Sequence, residues 1–256
     1  MILLIALPNG WTITPPAFFI NFASPFLTFI AFGRSSVSLV SIHETTTIFL
    51  SGYFVVPNAS YSLSSTNFLF VEDKEYEAFG TTKYPDKKMV VVSCMDTRLT
   101  ELLPKAMNVR NGDAKFIKNA GGVIVHPFGS AMRSIIVCVY EFDVKEVYIV
   151  GHFHCGMSGI DPSKTIQKMI DRGISKETID TLSNAGIKVN KWLYGFDSVE
   201  ISLIESVEKV RNHPLMPKDV AVHGLLIDPK TGALFLRING WDAVEAYQES
   251  LKEQGK

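Results

Sequence analysis

The spacing of apolar residues from residue 72 onward follows two alternating patterns. Short runs of apolar and β-branched residues predict strands at residues 89–93, 115–118, 146–150, 219–227 and 233–238. The runs at 89–93 and 146–150 predict buried strands, and the run at 233–238 predicts a strand that pairs back as a hairpin. Between them, apolar residues recur every three or four positions and predict helices, at residues 99–107, 126–142, 162–172, 198–212 and 242–253. Strands that alternate with helices form right-handed crossovers. We therefore predict an α/β fold, with a central, mainly parallel β-sheet flanked by helices and a C-terminal hairpin strand.

Two stretches of this pattern need separate comment. In the helix predicted at residues 126–142, one apolar face is formed by Met132, Ile135, Ile136, Val139 and Tyr140. Residues 174–196 mix apolar and polar positions without a clear period, and no element is predicted there.

The first 70 residues have a different pattern. They contain only two formal charges, Arg34 and Glu44, although they hold ten of the 17 phenylalanines. Residues 1–33 carry no charge, but four prolines interrupt any helix across them. Short β-type runs occur at residues 47–50 and 53–56. We therefore divide the chain into a low-charge extension at 1–70 and an α/β domain at 71–256.

Three interpretations of the extension remain open. It is a membrane anchor or targeting segment, an ordered extension, or the product of a start site placed too far upstream. The abrupt change in composition near residue 70 favours the third interpretation. Membrane contact is expected only if residues 1–33 form a real anchor.

Charge and cysteine content narrow the function classes. The chain has 25 Lys and Arg against 26 Asp and Glu, a net charge of -1, which argues against a nucleic-acid-binding protein. Three cysteines are too few for a disulfide scaffold of this length. We therefore expect reduced thiols and a cytoplasmic protein.

Two short motifs follow predicted strands and supply metal ligands. Cys94, Asp96 and Arg98 come directly after the strand at 89–93, and His152 and Cys155 come after the strand at 146–150. In open α/β sheets, sites lie at the carboxyl ends of strands. Two thiolates and one imidazole form a ligand set that suits zinc and leaves a fourth position for water, as in catalytic sites.

The choice of histidine depends on spacing. His152 lies three residues before Cys155, so a tight turn can direct both side chains at one ion, whereas His154 is adjacent to Cys155 and its side chain is expected to diverge. We therefore predict His152 as the ligand and His154 as a polar residue at the rim or a hydrogen-bonding neighbour. Asp96 is expected to act at the site, with the Arg98 guanidinium gripping its carboxylate and keeping it off the metal.

The two motifs together resemble those of the β-class carbonic anhydrases. The resemblance extends over residues 72–241 and includes the turn at 118–122 and the helix start at 126–134. It implies one zinc ion per chain, bound by Cys94, His152 and Cys155. It implies that Asp96, held by Arg98, orients or deprotonates the zinc-bound water, or becomes a fourth ligand in an inactive closed form.

The same resemblance bears on the rest of the molecule. Gly121 and Gly122 either let the backbone approach the substrate pocket or simply make the turn. The family implies a homodimer or a higher multiple of dimers. It also implies a helical N-terminal arm, which the first 70 residues lack or replace, because they show no charged amphipathic pattern.

The expected function is a zinc-dependent carbonate dehydratase that interconverts CO₂ and bicarbonate by zinc-hydroxide attack. Two alternatives stay open. The first is a hydrolase of a CO₂ analogue, carbonyl sulfide or carbon disulfide, on the same fold. The second is a catalytically silent zinc-binding module, which the Asp96–Arg98 pair argues against because a purely structural zinc would not need it.

Overall fold

The computed structural model describes residues 29–33, 36–40, 48–50, 53–55, 60–253 and 255, with side chains from residue 66 onward. The chain divides into two compact units, Met1–Gly80 and Thr81–Lys256. The compositional boundary at residue 70 falls inside a helix of the first unit.

The first unit contains two antiparallel strand pairs and a helix. Strand β1 (Phe29–Gly33) pairs with β2 (Ser36–Val40), and β3 (Ile48–Leu50) pairs with β4 (Tyr53–Val55). Helix α1 (Ser60–Glu72) follows, and then a short 3₁₀ helix at Glu75–Phe79. Strands β3 and β4 coincide with the β-type runs in the sequence, whereas β1, β2 and α1 were not predicted. Among the residues described, no helix combines the length and apolar character needed to cross a membrane.

The second unit is built on one five-stranded sheet. Its strands are β5 (Met89–Cys94), β6 (Ala114–Asn119), β7 (Glu146–His152), β8 (Ala221–Ile227) and β9 (Leu234–Ile238), in the order β6-β5-β7-β8-β9. The first four run parallel, and β9 returns antiparallel to β8. The predicted fold class, including the C-terminal hairpin strand, is confirmed.

Seven helices connect and flank these strands in the described part of this unit. They are α2 (Leu99–Ala106), α3 (Ser130–Glu141), α4 (Pro162–Asp171), α5 (Lys176–Asn184), α6 (Val189–Leu193), α7 (Val199–Arg211) and α8 (Gly240–Glu253). Helices α5 and α6 lie where no element was predicted. They bury only Val189, so neither helix packs a broad apolar face on the core, although the few apolar residues of α5 do lie on one side.

Helix α3 differs from its prediction in two ways. It begins at Ser130, after a non-helical turn that includes Pro127. Met132, Ile135 and Val139 are buried as expected, but Tyr140 is 61% exposed. Its hydroxyl donates a hydrogen bond of 2.9 Å to the carbonyl of Leu215, so this position lies outside the buried face.

The sheet separates two apolar clusters. The larger contains Val90 and Val92 of β5, packed with residues of α3 and α7. The smaller contains Val91 and Cys94 of β5, Leu99 and Leu103 of α2, and Cys155. The second cluster therefore places two cysteines at the carboxyl edge of the sheet, in apolar surroundings.

Candidate metal centre

Two neighbouring parallel strands bring the sequence motifs together. Strand β5 ends at Cys94 and β7 ends at His152, and their register pairs Ser93 with Val150. Cys155 follows β7 after a short turn. One ligand atom from each of Cys94, His152 and Cys155 lies within 4.8 Å of the others, and all three residues are buried. The sulfurs of Cys94 and Cys155 are 3.9 Å apart and form no disulfide.

The imidazole of His152 is oriented by the backbone of the next residue. Its Nδ1 lies 3.0 Å from the carbonyl oxygen of Phe153, and because a carbonyl only accepts, Nδ1 carries the proton. The lone pair is therefore on Nε2, which is buried and has no hydrogen-bond partner in the described structure. Burial also lowers the pKa of His152, which favours the neutral ring. A neutral imidazole with one nitrogen tied to a carbonyl is the form that binds metals.

The two thiols are costly neighbours without a cation. Burial raises the pKa of Cys155 to about 11, and proximity to Cys94 adds to this effect, although a hydrogen bond from the backbone N–H of Met157 opposes it. Two buried cysteine sulfurs and a free imidazole nitrogen form a donor set that a zinc ion would satisfy, because zinc binds thiolate and imidazole and keeps its cysteine ligands deprotonated. The residues present therefore fit zinc.

Asp96 and Arg98 form a bidentate pair beside this group. The Nε of Arg98 donates to Asp96 Oδ1 at 2.9 Å, and its Nη2 donates to Oδ2 at 2.7 Å. The backbone N–H of Arg98 also donates to Oδ1, at 3.0 Å. The hydrogen bond from the Arg98 side chain lowers the pKa of Asp96 to about 2. Asp96 is thus a carboxylate, with Oδ2 3.8 Å from His152 Nε2.

His154 occupies a different place from His152. Its side chain is exposed and its φ is 53°, so it is not grouped with the cysteines. Its backbone carbonyl accepts a hydrogen bond of 3.2 Å from Arg98 Nη2. The backbone of His154 therefore helps to fix the guanidinium that holds Asp96, and a role for its side chain stays a prediction.

The two glycines after β6 form a tight approach as well as a turn. Gly121 and Gly122 have φ of 88° and 67°. A Cβ on Gly122 would lie 2.8 Å from the backbone nitrogen of Cys94 and 3.0 Å from the carbonyl oxygen of Val150. No larger side chain fits between this turn and the ends of β5 and β7. The role of both glycines in a substrate pocket stays a prediction.

Several residues near the centre were not singled out from the sequence. Met157, Gly195 and Phe196 pack beside it, and Phe196 belongs to the stretch in which no element was predicted. The sequence signal that could have identified this segment is a glycine, Gly195, directly before an aromatic residue and shortly before the start of α7. Of the remaining candidates, Cys138 is buried on α3, His126 is exposed, and His43 lies outside the described residues.

Comparison with known proteins places this geometry in context. The family model described as carbonic anhydrase matches residues 89–234, which include both motifs. "Putative carbonic anhydrase YvdA" of Bacillus subtilis (strain 168) is 53% identical over 181 residues, 71% of this chain and 92% of that protein. A "Carbon disulfide hydrolase" of Acidithiobacillus thiooxidans is 31% identical over 157 residues, 58% of this chain and 76% of that protein. The solved structure of β-carbonic anhydrase isoform I from Trichomonas vaginalis is similar with a TM-score of 0.62 and 34% identity, over 70% of this chain and 97% of that one.

Proposed function

Because this chain belongs to the β-carbonic anhydrase family, we propose that it is a zinc-dependent carbonate dehydratase, which interconverts CO₂ and bicarbonate. The observation that carries the proposal is the buried Cys94–His152–Cys155 group with a free imidazole nitrogen, next to a carboxylate held by arginine.

Each residue of the group has a distinct role in this proposal. Cys94, His152 and Cys155 would hold one zinc ion per chain. The chemistry that zinc supplies when bound is Lewis acidity, which brings the pKa of water to about 7. The carbonyl of Phe153 keeps the proton of His152 on Nδ1, so that Nε2 stays available.

Asp96 and Arg98 would act on the attacking water and its proton. The carboxylate of Asp96, ionised near neutral pH, accepts a hydrogen bond or a proton from the attacking water through Oδ2. Arg98 holds both carboxylate oxygens, which keeps Asp96 from turning onto the metal as a fourth ligand. Leu99, Val150 and other apolar residues surround the two cysteines and exclude bulk water.

Stopped-flow measurement of CO₂ hydration with a pH indicator tests the proposal. The full-length protein loaded with zinc should accelerate hydration, and removal of the metal by a chelator should abolish the effect. The matched control is Asp96→Asn, which should keep zinc and lose activity. A zinc-loaded protein without any acceleration of CO₂ hydration would refute the proposal.

A second candidate is hydrolysis of a CO₂ analogue. The similarity to the carbon disulfide hydrolase of Acidithiobacillus thiooxidans favours including it. The same zinc-loaded protein should be incubated with carbon disulfide or carbonyl sulfide and its release of hydrogen sulfide measured. Sulfide release together with absent CO₂ hydration would select this candidate. Loss of either activity in Asp96→Asn would distinguish both from a silent zinc-binding module.

We also propose an oligomeric state from the family and the described residues. The chain is assigned to a homodimer or a multiple of dimers, with exposed aromatic residues such as Phe128 (76% exposed) available for contacts between subunits. Light scattering would test this assignment.

The location and the extent of the active part of the chain are proposed separately. The three free cysteines accord with a cytoplasmic location. We also propose that residues 71–256 carry the whole activity, so a chain that begins at residue 67 should be soluble and keep its zinc.

A further inference from the structure

The turn that carries Cys155 is held in place by several contacts. These contacts involve neither the other two proposed ligands nor the Asp96–Arg98 pair. This turn, residues 155–159, follows β7 and is compact in itself. The backbone N–H and the hydroxyl of Ser158 both donate to the carbonyl of Cys155, at 3.1 and 2.8 Å. The side chain of Met157, two residues after Cys155 in the same turn, packs against the apolar cluster that contains Cys155. The position of Met157 is therefore coupled to the position of Cys155 through this short turn.

Met157 is in turn fastened by the segment that precedes α7. The backbone N–H of Phe196 donates to the carbonyl of Met157 at 3.4 Å. Gly195 approaches the same carbonyl so closely that a Cβ there would lie 1.9 Å from its oxygen. Because the obstacle is backbone, it cannot move aside as a flexible side chain would.

The ring of Phe196 links this turn to the glycine turn after β6. A Cβ on Gly121 would lie 2.8 Å from Phe196 Cε1 and 3.4 Å from Met157 Cγ, so all three are in close packing. The next residue, Gly122, lies against the backbone nitrogen of Cys94. Phe196 thus packs between the turn that carries Cys155 and another turn that abuts the Cys94 backbone.

We propose that Phe196 is a positioning residue, which holds the turns of Cys94 and Cys155 at zinc-binding separation. This inference rests on the proposed function, because it assigns zinc to the two cysteines. The physical reason is pre-organisation: a turn that is already fixed loses little conformational freedom when the metal binds. In this role Phe196 acts on the two cysteines through Met157 and Gly121.

The test compares zinc affinity in the full-length protein and its variants, by competition with a chromophoric chelator. Loss of a residue that orients metal ligands typically lowers affinity about 10- to 100-fold, and we expect this for Phe196→Ala. Phe196→Leu keeps an apolar side chain but cannot reach as far, so it should recover part of the affinity. Trp192→Ala is the matched control, because Trp192 is a nearby aromatic residue that is 72% exposed.

The absorption spectrum of the cobalt-substituted protein gives a second readout, since it reports the geometry of the sulfur ligands independently of turnover. Phe196→Ala should change this spectrum and Trp192→Ala should not. Wild-type affinity and spectrum in Phe196→Ala would overturn the inference, as would an equal loss in Trp192→Ala. If Phe196→Ala does not fold, Phe196→Leu decides: several-fold weaker binding supports the inference and unchanged binding overturns it. Failure of the wild-type protein to bind zinc would instead refute the proposed function, and the inference with it.

Discussion

The two ends of the central sheet each contain a buried histidine, and the two rings are used differently. His152 ends β7 at the carboxyl edge and is 0% exposed, whereas His223 lies near the start of β8, toward the amino edge, and is 4% exposed. The ring of His223 stacks on Tyr148 at 4.5 Å, and its Nδ1 accepts a hydrogen bond of 3.1 Å from the backbone N–H of Gly240. Its Nε2 faces Glu146 Oε2 at 3.3 Å.

The difference between the rings lies in which nitrogen carries the proton, because in both rings Nδ1 makes a hydrogen bond and Nε2 is buried without one. At His223, a backbone donor fixes the lone pair on Nδ1, so Nε2 carries the proton and lies 3.3 Å from the Glu146 carboxylate. At His152, a carbonyl fixes the proton on Nδ1, so Nε2 carries the lone pair and the ring is grouped with two thiols. Burial and residue type are therefore shared, and the proton position together with the neighbouring groups separates a structural histidine from a metal-ready one.

The largest expected effect is on metal content. His152→Ala should remove the third ligand and empty the site, whereas His223→Ala and His154→Ala should leave one zinc per chain, because their rings do not face the thiols. Elemental analysis of the purified variants measures this directly. Cys94→Ser should behave like His152→Ala, with Cys138→Ala as its control away from the site. Zinc retained in His152→Ala, or lost in His154→Ala, would show that the histidine is misassigned.

The next effect is on turnover at constant metal content. Arg98→Ala frees the carboxylate of Asp96, which can then turn onto the metal and displace water. Asp96→Asn removes the proton acceptor. Both should retain zinc and lose about 10²–10⁴-fold in CO₂ hydration, the range typical of general-base assistance. The cobalt spectrum should change in Arg98→Ala, where a fourth protein ligand is added. Wild-type rates in both variants would mean that the pair is a bystander salt bridge.

A smaller effect is expected on folding when the amino edge is altered. His223→Ala leaves the buried backbone N–H of Gly240 without its acceptor, which typically costs about 1–3 kcal/mol in the free energy of unfolding. Urea unfolding of the zinc-loaded protein measures this loss. Zinc stoichiometry should stay unchanged. Substitution of His223 is thus expected to lower stability without loss of metal, whereas substitution of His152 is expected to remove the metal. An unchanged unfolding midpoint would contradict the role assigned to His223.

The smallest effect is on the pH dependence of stability. Burial lowers the pKa of His223, partly offset by Glu146 and Asp242, whereas Arg211 acts in the same direction as burial. The unfolded chain therefore binds a proton more readily than the folded one, so the contribution of His223 is complete above its ordinary pKa of about 6.5 and falls as the pH drops below it. The stability difference between wild type and His223→Gln should shrink between pH 7.5 and 5.5. A difference independent of pH would rule out this titration.

Much of the fold, and the grouping of Cys94, His152 and Cys155, could be predicted because the signals are local. The β-branched runs of β5 and β7 predict buried strands, and each motif directly follows its strand, so parallel pairing alone brings Cys94 and His152 to the same edge. The three-residue spacing from His152 to Cys155 also belongs to one turn. These inferences need only periodicity and chain order, both of which are properties of the sequence.

Other features depended on contacts between residues far apart in the chain. The sequence determined which ligand types are present, but only the register of β5 and β7 brings sulfurs 61 residues apart to 3.9 Å. The packing of Phe196 on Gly121, the exposure of Tyr140 and the small burial of α5 and α6 depend on what each surface meets, which the periodicity of the sequence does not show. The proton position of His152 comes from a local hydrogen bond to the carbonyl of Phe153, whereas the burial of its free nitrogen beside two sulfurs was decided by tertiary structure, because those neighbours come from packing of separate parts of the chain.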